Sequence, residues 1–211
     1  MRELTVDARP PNNSETQEIS ITQADRDSFV MRIIGEEDLE GFTFEGLKRR
    51  MGTHSETLSR MLSRLEESGV LARTEHGYIV TERGKFIAGA RQTASSKSGV
   101  LLLRTLMPAF QNNRMINGLM GRWFGPLRWL GYSRDETGTT MKWITENGSV
   151  QVDAHFSDGE LVIEGRILAG SDLSEAIAAS HQLVGYISRI YSHTPQRPAY
   201  SSTAGAVSLD N

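Results

Sequence analysis

The chain has 211 residues, with 23 lysines and arginines against 26 aspartates and glutamates, and a formal net charge of -3 at pH 7. This length suffices for two small domains, and the near balance of charge excludes a protein that binds polyanions over its whole surface. The lack of cysteine excludes disulfides and thiol chemistry. No apolar run resembles a signal peptide or reaches membrane-spanning length, which predicts a cytoplasmic protein with no membrane partner.

The N-terminal segment is polar and is predicted to be a flexible arm over 1–24, with a short strand at 19–22. A first helix is predicted from Asp25 to about Gly35. The acidic run at 36–38 follows it. We interpret this run as a solvated loop between helices, because no histidine or further carboxylate pattern supports a metal site there.

The stretch over 43–84 divides into a helix, a tight turn, a second helix and a hairpin. Gly52 is predicted to end the first helix, because glycine adopts the left-handed backbone conformation at the least cost. Thr53 and Glu56 have the spacing of a capping box for the second helix. The apolar positions of that helix recur at helical spacing and predict its buried stripe, which is Leu58, Met61, Leu62 and Leu65.

The opposite face of the second helix carries small hydroxyls and two arginines rather than the mixed glutamates and lysines of an ordinary surface helix. Short side chains let a helix enter a groove of DNA, and arginine binds guanine O6 and N7 or a phosphate. The arginines of this helix are expected to contact bases or phosphates. The cations of the preceding helix are expected to bind the DNA backbone, and Arg73 or His76 is expected to position the hairpin on the DNA. The predicted DNA contacts are Lys48, Arg49, Arg50, His54, Ser55, Thr57, Ser59, Arg60, Ser63, Arg64, Arg73 and His76.

Two segments, MGTHSETLSRMLSRLEESGVL and YIVTERG, resemble the recognition helix and the post-wing sequence of winged helix-turn-helix regulators of the MarR and ArsR type. The matching positions are Gly52, Thr57, Ser59, Arg60, Leu62, Leu65, Glu66, Gly69, Leu71, Thr81 and Gly84. The resemblance implies a winged helix over 25–91 that binds double-stranded DNA. A homodimer would read an inverted repeat through two recognition helices at about 54–68. The tip of the hairpin is short and carries Glu75 and His76, where these regulators often have a longer basic wing.

A small, polar segment over 92–99 predicts a linker to a second domain over 100–193. The apolar stretches at 100–110 and 115–124 have two interpretations: helices that pack in the core and in a dimer, which we favour, or a cover over a ligand cavity. Asn-Gly and Asp-Gly turns then separate alternating segments, which predict an antiparallel meander of three or four strands. A helix capped at 171–175 is predicted to cover one face of this sheet, and 194–211 is expected to be disordered. The predicted stripe of that helix is Leu173, Ile177, Leu183 or Val184, Ile187 and Tyr191.

These elements predict an α+β fold: an N-terminal winged helix-turn-helix plus a C-terminal antiparallel meander sheet with a covering helix. No catalytic triad, phosphate loop or pair of carboxylates is found, so we expect neither an enzyme nor a cofactor. Asp153 and His155 share a strand face near Asp158. The charged residues of the next strand favour a solvated face there over a metal site.

All three tryptophans lie between positions 123 and 143. Large aromatic side chains form core by default, but such a cluster also suits a pocket for a planar or apolar effector. The candidate effector residues are Arg122, Trp123, Trp129 and Trp143. The predicted function is therefore a sequence-specific transcriptional regulator whose second domain dimerises and is a candidate sensor of a small molecule. The alternative is a winged-helix module that binds a protein partner and does not read DNA.

Overall fold

The computed structural model describes residues 23–89, 99–107, 112–170 and 172–192. The predicted arm up to residue 22, the predicted linker apart from Gly99, and the predicted tail lie outside these ranges. In chain order the described elements are α1 (Gln23–Glu36), β1 (Gly41–Phe42), α2 (Phe44–Met51), α3 (Ser55–Glu67), β2 (Leu71–Thr74), β3 (Gly77–Val80), α4 (Glu82–Gly89), β4 (Val100–Leu106), α5 (Asn112–Leu119), β5 (Leu127–Arg134), β6 (Gly138–Thr145), β7 (Val150–Ser157), β8 (Glu160–Ile167) and α6 (Leu173–Ser192). The predicted mixture of helices and antiparallel sheet is confirmed.

The described strands form a single eight-stranded sheet in the order β2-β3-β1-β5-β6-β7-β8-β4. All the neighbouring strands are antiparallel. The predicted meander is confirmed as β5 to β8. It extends further than expected, because the two-residue strand β1 pairs with β3 on one side and with β5 on the other. This short strand joins the hairpin β2–β3 to the rest of the sheet.

Helix α2 begins and ends as the sequence predicts. Thr43 is its N-cap, and the Thr43 hydroxyl accepts a hydrogen bond from the Gly46 amide at 3.1 Å and donates one to the Trp129 carbonyl at 2.9 Å. Gly52 ends the helix in the left-handed conformation, with φ of 61°. The N-cap therefore also fixes α2 against β5, on which the helix packs.

The predicted capping box at the start of α3 is wrong. The N-cap is His54, which has an extended backbone and makes no side-chain capping hydrogen bond. Thr53 stands one residue outside the cap position, so the Thr–Glu spacing that looked correct in the sequence is out of register with the helix. The buried stripe of α3 is confirmed.

Two hydrophobic clusters fill the molecule. One cluster lies among α1 to α4 and the hairpin and includes Ile34, Leu47, Leu58 and Val80. The other packs the sheet against α5 and α6 and includes Trp143, Phe156, Ile163 and Leu183. The chain thus has two hydrophobic cores, and strands of one continuous sheet contribute to both.

Two predictions for the second half are wrong in detail. Residues 100–106 form a strand instead of a helix, because a short apolar run has no periodicity that separates the two. The predicted stripe of α6 is confirmed for Leu183 and Ile187. It is wrong for Leu173, Ile177 and Tyr191, which are 42%, 40% and 38% exposed. Small side chains let α6 approach the sheet closely, and its buried residues are Ala176, Ala179, Ser180, Leu183 and Ile187.

Of the helices within the described ranges, none combines the length and the apolarity needed to cross a bilayer.

Candidate functional site

The solvent-facing side of α3 carries the hydroxyls and the arginine that the sequence singles out. Leu58, Met61 and Leu62 turn into the core, and helical geometry therefore places the residues between them outward. Thr57 is half-buried, whereas the outward residues are exposed. These exposed residues are His54, Ser55, Ser59, Arg60 and Ser63.

The two arginines of α3 differ in what they contact. Arg60 pairs with Glu56 one turn earlier, and both side chains are more than 70% exposed, at 72% and 77%. Arg64 instead forms a two-point contact with Asp27 of α1, with its Nε donating to one carboxylate oxygen at 2.9 Å. The hydrogen bonds to Asp27 raise the pKa of Arg64 above its ordinary value. Arg60 is available to an external partner, whereas Arg64 ties α3 to α1.

The three cations of α2 also have internal partners. Glu45 accepts from Lys48 at 3.2 Å and from Arg49 at 3.0 Å. Arg50 donates to Glu37 at 3.0 Å, and its side chain is only 17% exposed. The predicted backbone anchors therefore lie side by side on α2, but Arg50 points towards the interior.

The hairpin β2–β3 exposes its tip. His76 lies 3.2 Å from Glu75, and their side chains are 79% and 85% exposed. The Arg73 guanidinium lies 5.9 Å from the centre of the Tyr78 ring. The tip projects polar groups, and Arg73 beside it is exposed and lies over an aromatic ring.

The candidate effector residues do not line one common cavity within the described part of the chain. Trp143 is fully buried, and its indole donates to the Arg122 carbonyl at 3.0 Å. Trp129 packs edge-on against Trp143 with ring centres 5.2 Å apart. Trp123 is 60% exposed, and the Arg128 guanidinium lies 4.8 Å from its ring centre. Of the four candidates, only Trp129 borders the cleft between the hairpin β2–β3 and α5, which is described below.

Sequence reasoning missed a buried ionic network between the two cores. The acidic run at 36–38 is not a solvated loop, because Glu37 is completely buried. Its carboxylate accepts from Arg50 and Arg166, and from the Gln151 amide at 2.9 Å. No pattern in the sequence pairs this loop with strands β7 and β8, since the contacts span more than a hundred residues of chain.

The network continues across the sheet through Asp153. This carboxylate accepts from Gln151 at 2.8 Å, from Lys142 at 3.1 Å and from Arg166 at 3.3 Å. The predicted solvated face is therefore in part a covered polar face. His155 on the same strand has its Nδ1 2.9 Å from the Thr140 hydroxyl. Among the described residues, no three histidines, aspartates or glutamates group in a way that could hold a metal ion.

The electrostatics of Glu37 follow from its partners. Burial alone would raise the pKa of this carboxyl, but the charges of Arg166 and Arg50 and the hydrogen bonds from Arg166 and Gln151 lower it from 4.5 to about 2. The charged form of Arg166 is favoured as well. Burial lowers its pKa, and the charges of Asp153 and Glu37 raise it above its ordinary value. Glu37 and Arg166 thus stay ionised at neutral pH.

A cleft of about 640 Å³, which we call the hairpin cleft, lies between the hairpin β2–β3 and α5. Strands β1 and β5 form its floor. Its apolar lining consists of Phe42, Tyr78, Ile79, Met120, Trp129 and Tyr132. The rim is polar and includes Thr74, Glu75, His76 and Asn117.

A scan against models of protein families, a search of curated proteins and a search of solved structures each find no match to the chain.

Proposed function

We propose that the protein is a sequence-specific DNA-binding transcriptional regulator that acts as a homodimer. In this proposal α1, α2, α3 and the hairpin form a winged helix-turn-helix, with α3 as the recognition helix and β2–β3 as the wing. The observation that carries the proposal is the outward face of α3, where three serines and one exposed arginine stand on a helix whose opposite side is core. Small side chains with a single long cation suit entry into the major groove.

The contacts of the individual arginines refine the proposed interface. Arg60 is assigned to base contact, because it is exposed and bound only to an equally exposed glutamate. An exposed pair of this kind contributes little to stability, so DNA displaces it at small cost. Arg50 and Arg64 are assigned to holding the fold, because each pairs with a carboxylate outside its own helix.

The phosphate contacts are assigned to Lys48, Arg49 and the wing. Lys48 and Arg49 share one carboxylate, Glu45, so the pair keeps a net positive charge on that side of α2. Arg73 and His76 extend the same role to the hairpin. Local cations of this kind explain how a chain of net charge -3 can attract a polyanion.

The main test is the substitution Arg60→Ala, measured on DNA that a genome-wide selection of bound fragments has identified. Loss of a guanine contact should weaken specific binding by about 1–3 kcal/mol and relax the sequence preference at one position. Arg189→Ala is the matched control, since Arg189 is an exposed arginine on α6, which packs at β7 and β8. Unchanged affinity of the Arg60→Ala protein for its site would overturn the assignment.

A salt titration separates DNA binding from the alternative of a protein-binding module. Phosphate contacts release counterions, so the logarithm of the affinity should fall linearly with the logarithm of the salt concentration. A selection that enriches no sequence, together with binding to scrambled DNA at equal strength, would favour the protein-binding alternative.

A further inference from the structure

The outward face of α6 is poor in charge. Of the twenty residues of this helix, two are charged, Glu175 and Arg189, although charged residues make up 23% of the chain. The opposite face packs on β7, β8 and α5, and a helix with one face in the core normally carries charged and polar residues on the other. Three exposed large hydrophobic residues also lie on α6: Leu173, Ile177 and Tyr191. The outward face therefore has the composition of a surface that another helix covers.

Small side chains form a row along the centre of this face. Successive positions in the row are alternately four and three residues apart, which gives the period of about 3.5 residues found in helices that pack along their length. We call it the contact row, and its members are Ser174, Ala178, His181, Gly185, Ser188 and Ser192. All of them are exposed except Gly185, which is half-buried. Small residues in such a row let two helix backbones approach closely.

Two flanks of different character border the contact row, and each repeats every seven residues. The apolar flank consists of Ile177, Val184 and Tyr191. The polar flank consists of Glu175, Gln182 and Arg189. Along the polar flank the charge changes from negative near the start of the helix to positive near its end. When two copies of such a helix lie antiparallel, each flank meets the same flank of the other copy in the reverse direction, so this surface complements itself.

We propose that two copies of the chain pair through α6, with the two helices antiparallel about a two-fold axis at the level of Leu183. In this arrangement His181, the largest side chain of the contact row, faces Gly185 of the partner subunit, which is the smallest residue of the row. Ala178 faces Ser188 of the partner subunit, and the serines at the two ends of the row face each other. The two-fold axis repeats each of these contacts, as in other interfaces that join identical surfaces.

The polar flank determines the direction of pairing. The antiparallel arrangement brings Glu175 beside Arg189 of the partner subunit at both ends of the interface. A parallel pair would set the polar flank against the partner's apolar flank, and neither charge would meet an opposite one. Within one helix the two residues are 14 positions apart, or about 21 Å at a rise of about 1.5 Å per residue, so they cannot pair with each other.

The affinity is assigned to the contact row and the apolar flank, because exposed ion pairs contribute little energy and mainly select the orientation. The substitution Arg189→Ala should for this reason leave the protein dimeric.

The consequence for DNA binding rests on the proposed function. A homodimer that reads an inverted repeat needs a two-fold interface away from its recognition helices. Helix α6 packs on β7 and β8, which lie in the other half of the sheet from the hairpin β2–β3. Pairing through α6 therefore leaves the outward face of α3 in each copy open to DNA.

Analytical ultracentrifugation of the full-length protein tests the interface without DNA. The original protein should have a mass twice the 23.4 kDa of one chain. Gly185→Lys should raise the dimer dissociation constant by about ten-fold or more, because it adds a long side chain and a repelling charge close to the axis. The single chain should still fold, since a Cβ on Gly185 meets no atom within 4 Å. Gly185→Ala is the matched control and should remain dimeric, because alanine already occupies the contact row at position 178. A monomeric original protein, or an unchanged dissociation constant in Gly185→Lys, would overturn the proposal.

Cysteine crosslinking tests the direction of pairing. The chain has no cysteine, so each substitution introduces a single thiol. Val184→Cys places two thiols across the axis from each other, and a short bismaleimide should join the chains into dimers. Ile177→Cys stands on the same flank, but its two thiols are separated by about 21 Å along the antiparallel pair, so it should crosslink at least about ten-fold less. Equal crosslinking of the two variants would indicate parallel helices, and absence of crosslinking in both would exclude the interface; either result contradicts the proposal.

The interface and the proposed function can fail separately. If α6 pairs as described but a selection of bound fragments enriches no DNA sequence, the interface stands and the proposed function fails. If the protein binds a specific site as a dimer and Gly185→Lys dimerises equally well, the function stands and the two copies pair through another surface.

Discussion

Three arginines of the N-terminal half, Arg50, Arg60 and Arg64, differ in the carboxylate that each contacts. Arg50 binds a completely buried glutamate, and Arg64 binds a half-buried aspartate of another helix. Arg60 binds a glutamate of its own helix that is as exposed as itself. The sequence predicts DNA contacts for all three, with Arg50 on the DNA backbone and the other two on bases or phosphates, because it shows residue type but not partner. Exposure and partner together leave Arg60 as the residue whose loss should affect DNA binding without affecting the fold.

The Glu37 carboxylate should stabilise the folded protein. The substitution Glu37→Gln removes the negative charge that faces Arg166 and Arg50. The difference between a pKa of about 2 in the folded protein and 4.5 in the unfolded chain corresponds to about 3 kcal/mol of unfolding free energy at neutral pH. Urea denaturation at pH 7 should therefore show a loss of about that size. Glu36→Gln is the matched control, since Glu36 only pairs with Arg32 on the surface of its own helix, at 3.6 Å.

The difference in unfolding free energy between the original protein and Glu37→Gln should depend on pH. Because the folded pKa lies below the unfolded one, the stabilisation by Glu37 is fully present above about pH 4.5 and is lost as the pH falls towards 2. The stability difference between the original protein and Glu37→Gln should therefore shrink across this window. A difference that stays constant from pH 7 to pH 2, or an equal loss in Glu36→Gln, would contradict the assigned role.

At the scale of elements, the turns and strands that depend on a few neighbouring residues were predicted from the sequence. The hairpin β2–β3, the meander β5 to β8 and the left-handed end of α2 were predicted because glycine-containing turns and alternation are properties of a few neighbouring residues. Strand β4 was missed because VLLLRTL is apolar at both helical and strand spacings. The continuity of the sheet through β1 was missed because two residues carry no periodicity.

The candidate site was predictable only in part. The outward face of α3 follows from helical periodicity, so its exposed serines and Arg60 were found from the sequence. The Glu37 network and the hairpin cleft depend on which distant elements meet. Glu37 looks like any loop carboxylate until Arg166 is brought beside it from β8, and such long-range contacts leave no local pattern.

Two helical glycines should respond with opposite signs to alanine. Gly46 faces β5, and a Cβ there would lie 2.5 Å from the Leu130 Cα and from the Trp129 carbonyl oxygen. Both are backbone atoms that cannot turn aside, so Gly46→Ala should lower the unfolding free energy by about 3 kcal/mol. Gly185 in α6 has open space around the same position. Gly185→Ala should raise the unfolding free energy by about 0.5–1 kcal/mol, because alanine is the better helix former.

Chemical denaturation of the two glycine variants checks this contrast. The two changes add the same methyl group to a helix, so a difference in sign isolates the close approach of α2 to the sheet. A loss in both variants would show that alanine is harmful for a reason other than contact with β5. A gain in both would show that α2 can move away from β5 freely.

At the scale of the whole molecule, the connections that the described residues make between the two hydrophobic clusters include three that can be altered or compared: strand β1, the packing of α2 on β5, and the Glu37 network. Each connection links a residue of the N-terminal core to the meander. We therefore expect the two clusters to unfold together in one cooperative transition, even though each cluster has its own side chains.

The placement of the tryptophans makes this cooperativity measurable. All three lie in the second half of the chain, at 123, 129 and 143, so tryptophan fluorescence reports the unfolding of the sheet cluster. Far-ultraviolet circular dichroism also reports α1 to α4. The two signals should show coincident urea transitions in the original protein. In Glu37→Gln combined with Gly46→Ala, two of the three connections are weakened, and the dichroism should begin to change at a lower urea concentration than the fluorescence. Coincident transitions in the double variant would mean that the two cores stay coupled without the full strength of the Glu37 network and of the packing of α2 on β5. Separate transitions in the original protein would mean that the shared sheet does not couple them.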